Sequence, residues 1–145
     1  MSTDSKPAGE RGRVIYIAET PFPIDGNMRV ITHKDDPQWD YKTIKAPPGV
    51  DRDSYWYWRR VKGASGSKPA QTLDDARQAV EAIIIHTDGL ANAALTHQVL
   101  INKGLSTHFC IDWDGTIIQC MDPLYAALHA GEQNSRTIGI DFNND

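Results

Sequence analysis

The sequence predicts an α/β domain built on a mixed β-sheet flanked by helices. Three stretches carry that prediction. "EAIIIHT" (81–87) is a run of β-branched residues after a helical pattern, and reads as a buried central strand. "THFCIDWDGTIIQC" (107–120) is a hairpin with a turn at Asp114-Gly115. "TIGIDF" (137–142) is a last strand rich in apolar residues. The order strand, helix, strand, helix, hairpin, strand means a sheet covered by helices.

The elements follow in order. Residues 1–11 are polar and charged and read as a disordered tail. Residues 12–70 form a β-rich N-terminal extension and linker. Within it "RVIYIAETPFP" gives a short β run over 13–18, stopped by Pro21 and Pro23. "NMRVITHK" is a second candidate strand, "DDPQWDYKTIKAPPGVDRD" is loop-like, and "SYWYWRRVKG" alternates as another strand. "GASGSKPAQ" is a small-residue linker. The core is predicted over 71–145. "TLDDARQAVEA" is a helix with Thr72 as N-cap and Asp74 and Asp75 favouring its dipole. "ANAALTHQVLINKG" is a second helix, with Ala91, Leu95 and Val99 on one stripe and Gly104 as its stop.

Charge and composition exclude several classes of function. The net charge is −4, which argues against nucleic acid as a partner, because phosphate binding needs a basic face. The longest apolar run, "AIIIHT", is too short to span a bilayer. The N-terminus has no apolar signal region, so the expected location is cytoplasmic, or the cell wall by a route without a signal. The two cysteines, Cys110 and Cys120, flank the Asp114-Gly115 turn. A two-residue turn pairs Cys110 with Gln119 and Phe109 with Cys120, placing the sulfurs on opposite faces as two buried thiols. A slip of one residue reverses that.

Candidate chemistry rests on three residues. His86 ends the buried strand just before a loop, where α/β proteins place site residues. Its imidazole is either a metal ligand or a satisfied strand-end histidine. His129 in "LHAGEQN" stands beside small residues that let it approach a ligand. Asp141 is a carboxylate in an apolar strand, and faces a cavity, a partner or solvent. His97 receives no role, His33 is uninformative, and His108 reads as structural. Asp112 and Asp114 read as turn chemistry. There is no GxGxxG, P-loop, HExxH or nucleophile elbow.

"IIIHTDG", "STHFCIDWDGTIIQ", "LHAGEQN" and "RTIGIDF" occur in that order, and together they resemble the zinc-dependent N-acetylmuramoyl-L-alanine amidase family, which includes phage lysozyme-like amidases and peptidoglycan recognition proteins. The resemblance covers residues 83–142. It implies an amidase-like mixed sheet with a groove for the peptidoglycan stem peptide and one zinc on its floor. The activity would be cleavage of the amide between N-acetylmuramic acid and L-alanine. By the same resemblance His86 is the first zinc ligand and Asp141 stands where a catalytic glutamate does. Thr107 stands where a tyrosine assists, and His129 and Asn134 line the groove. The family's other two ligands follow this last strand. The 145 residues are therefore expected to lack the usual C-terminal portion, to be weak or inactive alone, and to be completed by a C-terminal segment or a second chain. The alternative is a non-catalytic module that binds peptidoglycan or a protein through an amidase-like shape.

Overall fold

A computed structural model describes residues 13–43, 57–62, 68–87 and 89–143. The expected tail over 1–11 lies outside them. The central sheet has five strands in the order β3 (Val30–Thr32), β9 (Ile117–Gln119), β8 (Phe109–Ile111), β11 (Thr137–Phe142) and β7 (Ala82–Thr87). Only the β8–β9 hairpin is antiparallel; the other three pairings are parallel, so the sheet is mixed. Helices α1 (Leu73–Ala79) and α2 (Ala93–Lys103) are the crossovers around β7. Thr72 caps α1 with a full capping box: it accepts from Asp75 N, and Asp75 accepts from the Thr72 N–H. Asn92 caps α2, and Gly104 ends it in the left-handed region at φ 71°.

The hairpin register differs from the expectation. Cys110 pairs with Ile118, and Phe109 with Gln119. Asp112 N–H donates to Thr116 O at 2.9 Å, so three residues, not two, form the loop. Gly115 holds φ 88°, the left-handed position that follows a type I turn in a three-residue connection. The extra residue shifts the pairing by one and puts both cysteines on the same face of the ribbon.

The segment before residue 70 is woven into this core. Strand β3 is an edge of the main sheet, and β4 (Tyr57–Arg59) pairs with β10 (Tyr125–Ala127). Trp39, Tyr41 and Tyr57 share a buried cluster with Cys110, Ile118 and Cys120. The prolines expected to stop β1 (Val14–Ile17) instead lie in β2 (Thr20–Pro23), across a turn at Ala18 and Glu19. A two-stranded edge tolerates proline because it needs few ladder donors. Both turn residues have positive φ, 53° and 64°. The Asp122 carboxylate offsets that strain by accepting both their N–H groups at 2.8 Å. The last part of the linker pairs as β6 (Lys68–Pro69) with β5 (Val61–Lys62).

The buried face of α2 also differs from the predicted stripe. Leu95 is exposed, whereas Ala93, Thr96 and His97 are buried. Polar bonds make that burial tolerable: Asn143 Nδ2 donates to Thr96 Oγ1 at 2.6 Å, and His97 Nε2 donates to Gln38 O at 3.1 Å.

Candidate functional site

The site is built at the β7 edge of the sheet. Parallel pairing sets Asp141 beside His86 and Gly139 beside Ile84, all on one face. His129 arrives from the loop after β10 and lays its ring over Gly139. A β-carbon at Gly139 would stand 2.8 Å from His129 Cγ and Nδ1. Glycine is therefore required here by the close approach of the ring, at a position where φ is ordinary. His129 Nδ1 lies 3.0 Å from His86 Nε2, and its Nε2 lies 3.1 Å from Thr137 Oγ1.

The hydrogen-bond directions fix the tautomers. Thr137 Oγ1 donates to Gln133 O at 2.8 Å, so it accepts from His129 Nε2–H. His129 Nδ1 is then an acceptor, and His86 Nε2–H donates to it. Burial, reinforced by the neighbouring His86 and Arg60, pushes the His129 pKa down to about 4.

The loop that carries His129 is held from beneath. Asn134 Oδ1 accepts from the N–H groups of His129 and Ala130 at 3.0 and 2.7 Å. Arg60, 1% exposed, donates to the carbonyls of Pro123, Asn134, Ser135 and Thr137. Burial pushes its pKa down to about 10, which leaves it charged. His108 lies fully buried between the loop and the sheet. Its Nε2 donates to Tyr125 O at 2.8 Å, and its Nδ1 accepts from Gly139 N at 3.0 Å. Burial drives its pKa to about 3, so it stays neutral.

The site residues expected from the sequence therefore have distinct positions. His86 and His129 touch, and Asp141 neighbours His86 in register. Asn134 acts on the backbone of the His129 loop. Thr107 has no exposed surface, and its hydroxyl donates to Gly139 O at 2.9 Å, so it does not reach a groove in this structure. Arg60 and Gly139 were not singled out from the sequence. The tight Gly139 inside an otherwise apolar strand was the available signal. Nothing local marks Arg60, whose guanidinium bonds to carbonyls more than 60 residues away.

A groove of about 260 Å³ runs along α2 with Asp141 in its lining. Leu90, Thr96, Val99, Leu100, Lys103 and Leu105 complete it. The surface available is mainly aliphatic, with one cation and one carboxylate.

These residues do not form a zinc centre. Among the described residues, no group of three or more His, Cys, Asp or Glu could hold a metal ion, whereas a catalytic zinc takes about three protein ligands. The His86 and His129 ring centroids are 5.3 Å apart, little more than the N···N distance plus the two ring radii. The two nitrogens thus point at each other, as in a hydrogen bond, and not at a shared third atom. Among the described residues, no helix is long and apolar enough to cross a membrane.

No curated protein matches the chain. Among solved structures, a mutant endolysin from Bacillus subtilis is similar at 17% identity and a TM-score of 0.43, over 80% of this chain and 61% of that one. The chain thus spans less than two thirds of that endolysin chain. The family model for N-acetylmuramoyl-L-alanine amidase matches residues 76–145, the segment that holds β7, α2, the hairpin, the His129 loop and β11. Residues 76–145, just under half of the chain, are similar to the N-acetylmuramoyl-L-alanine amidase family.

Proposed function

We propose that the groove along α2 takes a peptidoglycan stem peptide, and that the site at its end hydrolyses the amide between N-acetylmuramic acid and L-alanine. The observation that carries this reading is the placement of His86 and Asp141 side by side at the ends of β7 and β11, within the segment that matches the family. Aliphatic walls suit the lactyl and alanyl methyl groups, and Lys103 suits a stem-peptide carboxylate. In this reading Asp141 takes the proton of the attacking water and returns it to the leaving amine. Its small exposure, 6%, keeps bulk water from competing for that proton. The family resemblance offers His86 alone as a zinc ligand, and the described residues hold no group of three that would complete a zinc centre.

One observation favours the second reading, a non-catalytic wall-binding module: His86 Nε2 is already committed to His129. Dye release from labelled cell walls in the presence of zinc, with co-sedimentation on the same walls, separates the two. The hydrolase reading expects slow release that drops at least about 100-fold in both His86→Ala and Asp141→Asn, a loss of roughly 2.7 kcal/mol of transition-state stabilisation. Sedimentation without release in every variant establishes the binding module. Release that survives His86→Ala overturns the site assignment.

A further inference from the structure

We propose that Cys120 and Cys110 form a peroxide-sensitive dithiol, with Cys120 as the reacting thiol and Cys110 as the resolving one. The inference stands apart from the hydrolase reading and rests on three observations.

The first is placement. Cys110 pairs with Ile118, and Cys120 lies two residues beyond Ile118, so both side chains return to one face of the β8–β9 ribbon. His108 O accepts from both Cys120 N and Met121 N, at 2.8 and 3.3 Å. This doubled contact draws the end of β9 against β8 and sets the two cysteines diagonally across the ribbon on one face. Both residues are 0% exposed and no disulfide joins them.

The second is access. A notch of about 20 Å³, lined by Glu19, His33, Asp40, Tyr41 and Lys42 among others, reaches Cys120; Cys110 is not in its lining. It admits one water-sized molecule. Hydrogen peroxide, one oxygen larger than water, must displace the lining side chains slightly to enter, whereas a thiol reagent of glutathione's size does not fit.

The third is chemistry. The Cys110 thiol, and then the nearby His97, favour the Cys120 thiolate over the penalty of burial and bring its pKa to about 6. Burial of Tyr41, 1% exposed, and then the charge of both sulfurs raise the pKa of its hydroxyl. A reactive thiolate with a resolving thiol beside it is the arrangement of a redox-sensitive pair.

The steps balance. The Cys120 thiolate attacks one peroxide oxygen; the S–O bond forms, the O–O bond breaks, and hydroxide leaves, giving the sulfenic acid. The Cys110 thiol then attacks that sulfur. The S–S bond forms, the S–O bond breaks, and water leaves with the Cys110 proton. Peroxide is reduced by two electrons and the thiol pair is oxidised by two.

The test treats the full chain with hydrogen peroxide, then with a sulfenic-acid trap such as dimedone, followed by non-reducing peptide mapping. Expected in the wild type is loss of both thiols and an intramolecular Cys110–Cys120 link that dithiothreitol reverses. Cys110→Ala should stop at a trapped sulfenic acid on Cys120, and Cys120→Ala should slow oxidation of the remaining thiol at least about tenfold. The wild-type map stands even where an alanine variant fails to fold. Unreacted thiols, cross-links only between chains, or first oxidation at Cys110 would each overturn the proposal.

Discussion

Replacing Gly139 by alanine tests the placement of His129 directly. The new β-carbon would stand 2.8 Å from His129 Cγ and Nδ1 and 3.0 Å from Cδ2, where ordinary contact begins at 3.4 Å. The ring must therefore retreat by about 0.6 Å from a strand backbone that cannot yield. That movement misaligns its bonds to His86 and Thr137, each worth about 1 kcal/mol net. Overpacking adds about 1–3 kcal/mol, and alanine regains about 0.5–1 kcal/mol over glycine within a strand. The net expectation is a loss of about 2–4.5 kcal/mol, or roughly 6–18 °C in Tm for a domain of this size. Urea unfolding of a double-mutant cycle isolates the cause. In a His129→Ala background the clash is gone, and Gly139→Ala should be neutral or mildly stabilising. An equal cost in both backgrounds would refute the close approach of the ring.

Three further outcomes follow. His108 titrates near 3 in the fold and near 6.5 when unfolded, so the unfolded chain takes up the proton first as pH falls. Its contribution is full above about pH 6.5, and about 2 kcal/mol is lost between pH 7 and 5; His129 adds to the same slope, discounted for its half exposure. Urea midpoints measured across that range check it, and His108→Asn, whose side-chain oxygen can still accept from Gly139 N–H, should flatten the slope. Arg60→Met leaves three buried carbonyls and the half-buried one of Ser135 without their donor and should cost about 3–5 kcal/mol, with faster proteolysis around 131–136. Asn134→Ala should cost about 1–2 kcal/mol and selectively raise amide exchange at His129 and Ala130.

The parts of the fold that were legible from sequence are those encoded locally. Thr72 with Asp74 and Asp75, and Gly104 as a stop, each announce an element within a few residues. The β-branched run ending at His86 announces a strand but not its place: β7 is an edge of the sheet with Ile83 and Ile85 exposed, not the buried central strand its composition predicts, because composition does not say which neighbours a strand finds. Loop length was not legible at Asp114-Gly115, because one Asp-Gly pair serves both two- and three-residue connections, and the choice moved Cys110 against Ile118. His97 could not be placed by periodicity, since its partner, Gln38 O, lies in a different segment. In the site, His86 and Asp141 were marked by chemistry in an apolar setting. Asn134 and Thr107 were read as groove residues, and in the structure their polar atoms serve backbone groups. A side chain's type shows what it can bond, but only the fold decides whether substrate or backbone takes the bond.

The distribution of supports also changes what counts as the site. The family match begins at residue 76, yet the loop bearing His129 hangs on Arg60, which lies outside the matched segment. Arg60 is itself held in register by β4 against β10, and β10 leads directly into that loop. A buried guanidinium that bonds mainly to carbonyls is costly to desolvate, and it is tolerated where it fixes several backbone groups at once. Here those groups are the carbonyls of Pro123, Asn134, Ser135 and Thr137, the last of which also positions His129 through its hydroxyl. The His86–His129 contact is therefore set jointly by the matched segment and by the strand that precedes it. A variant that disturbs β4 should act on the site as directly as one in β11.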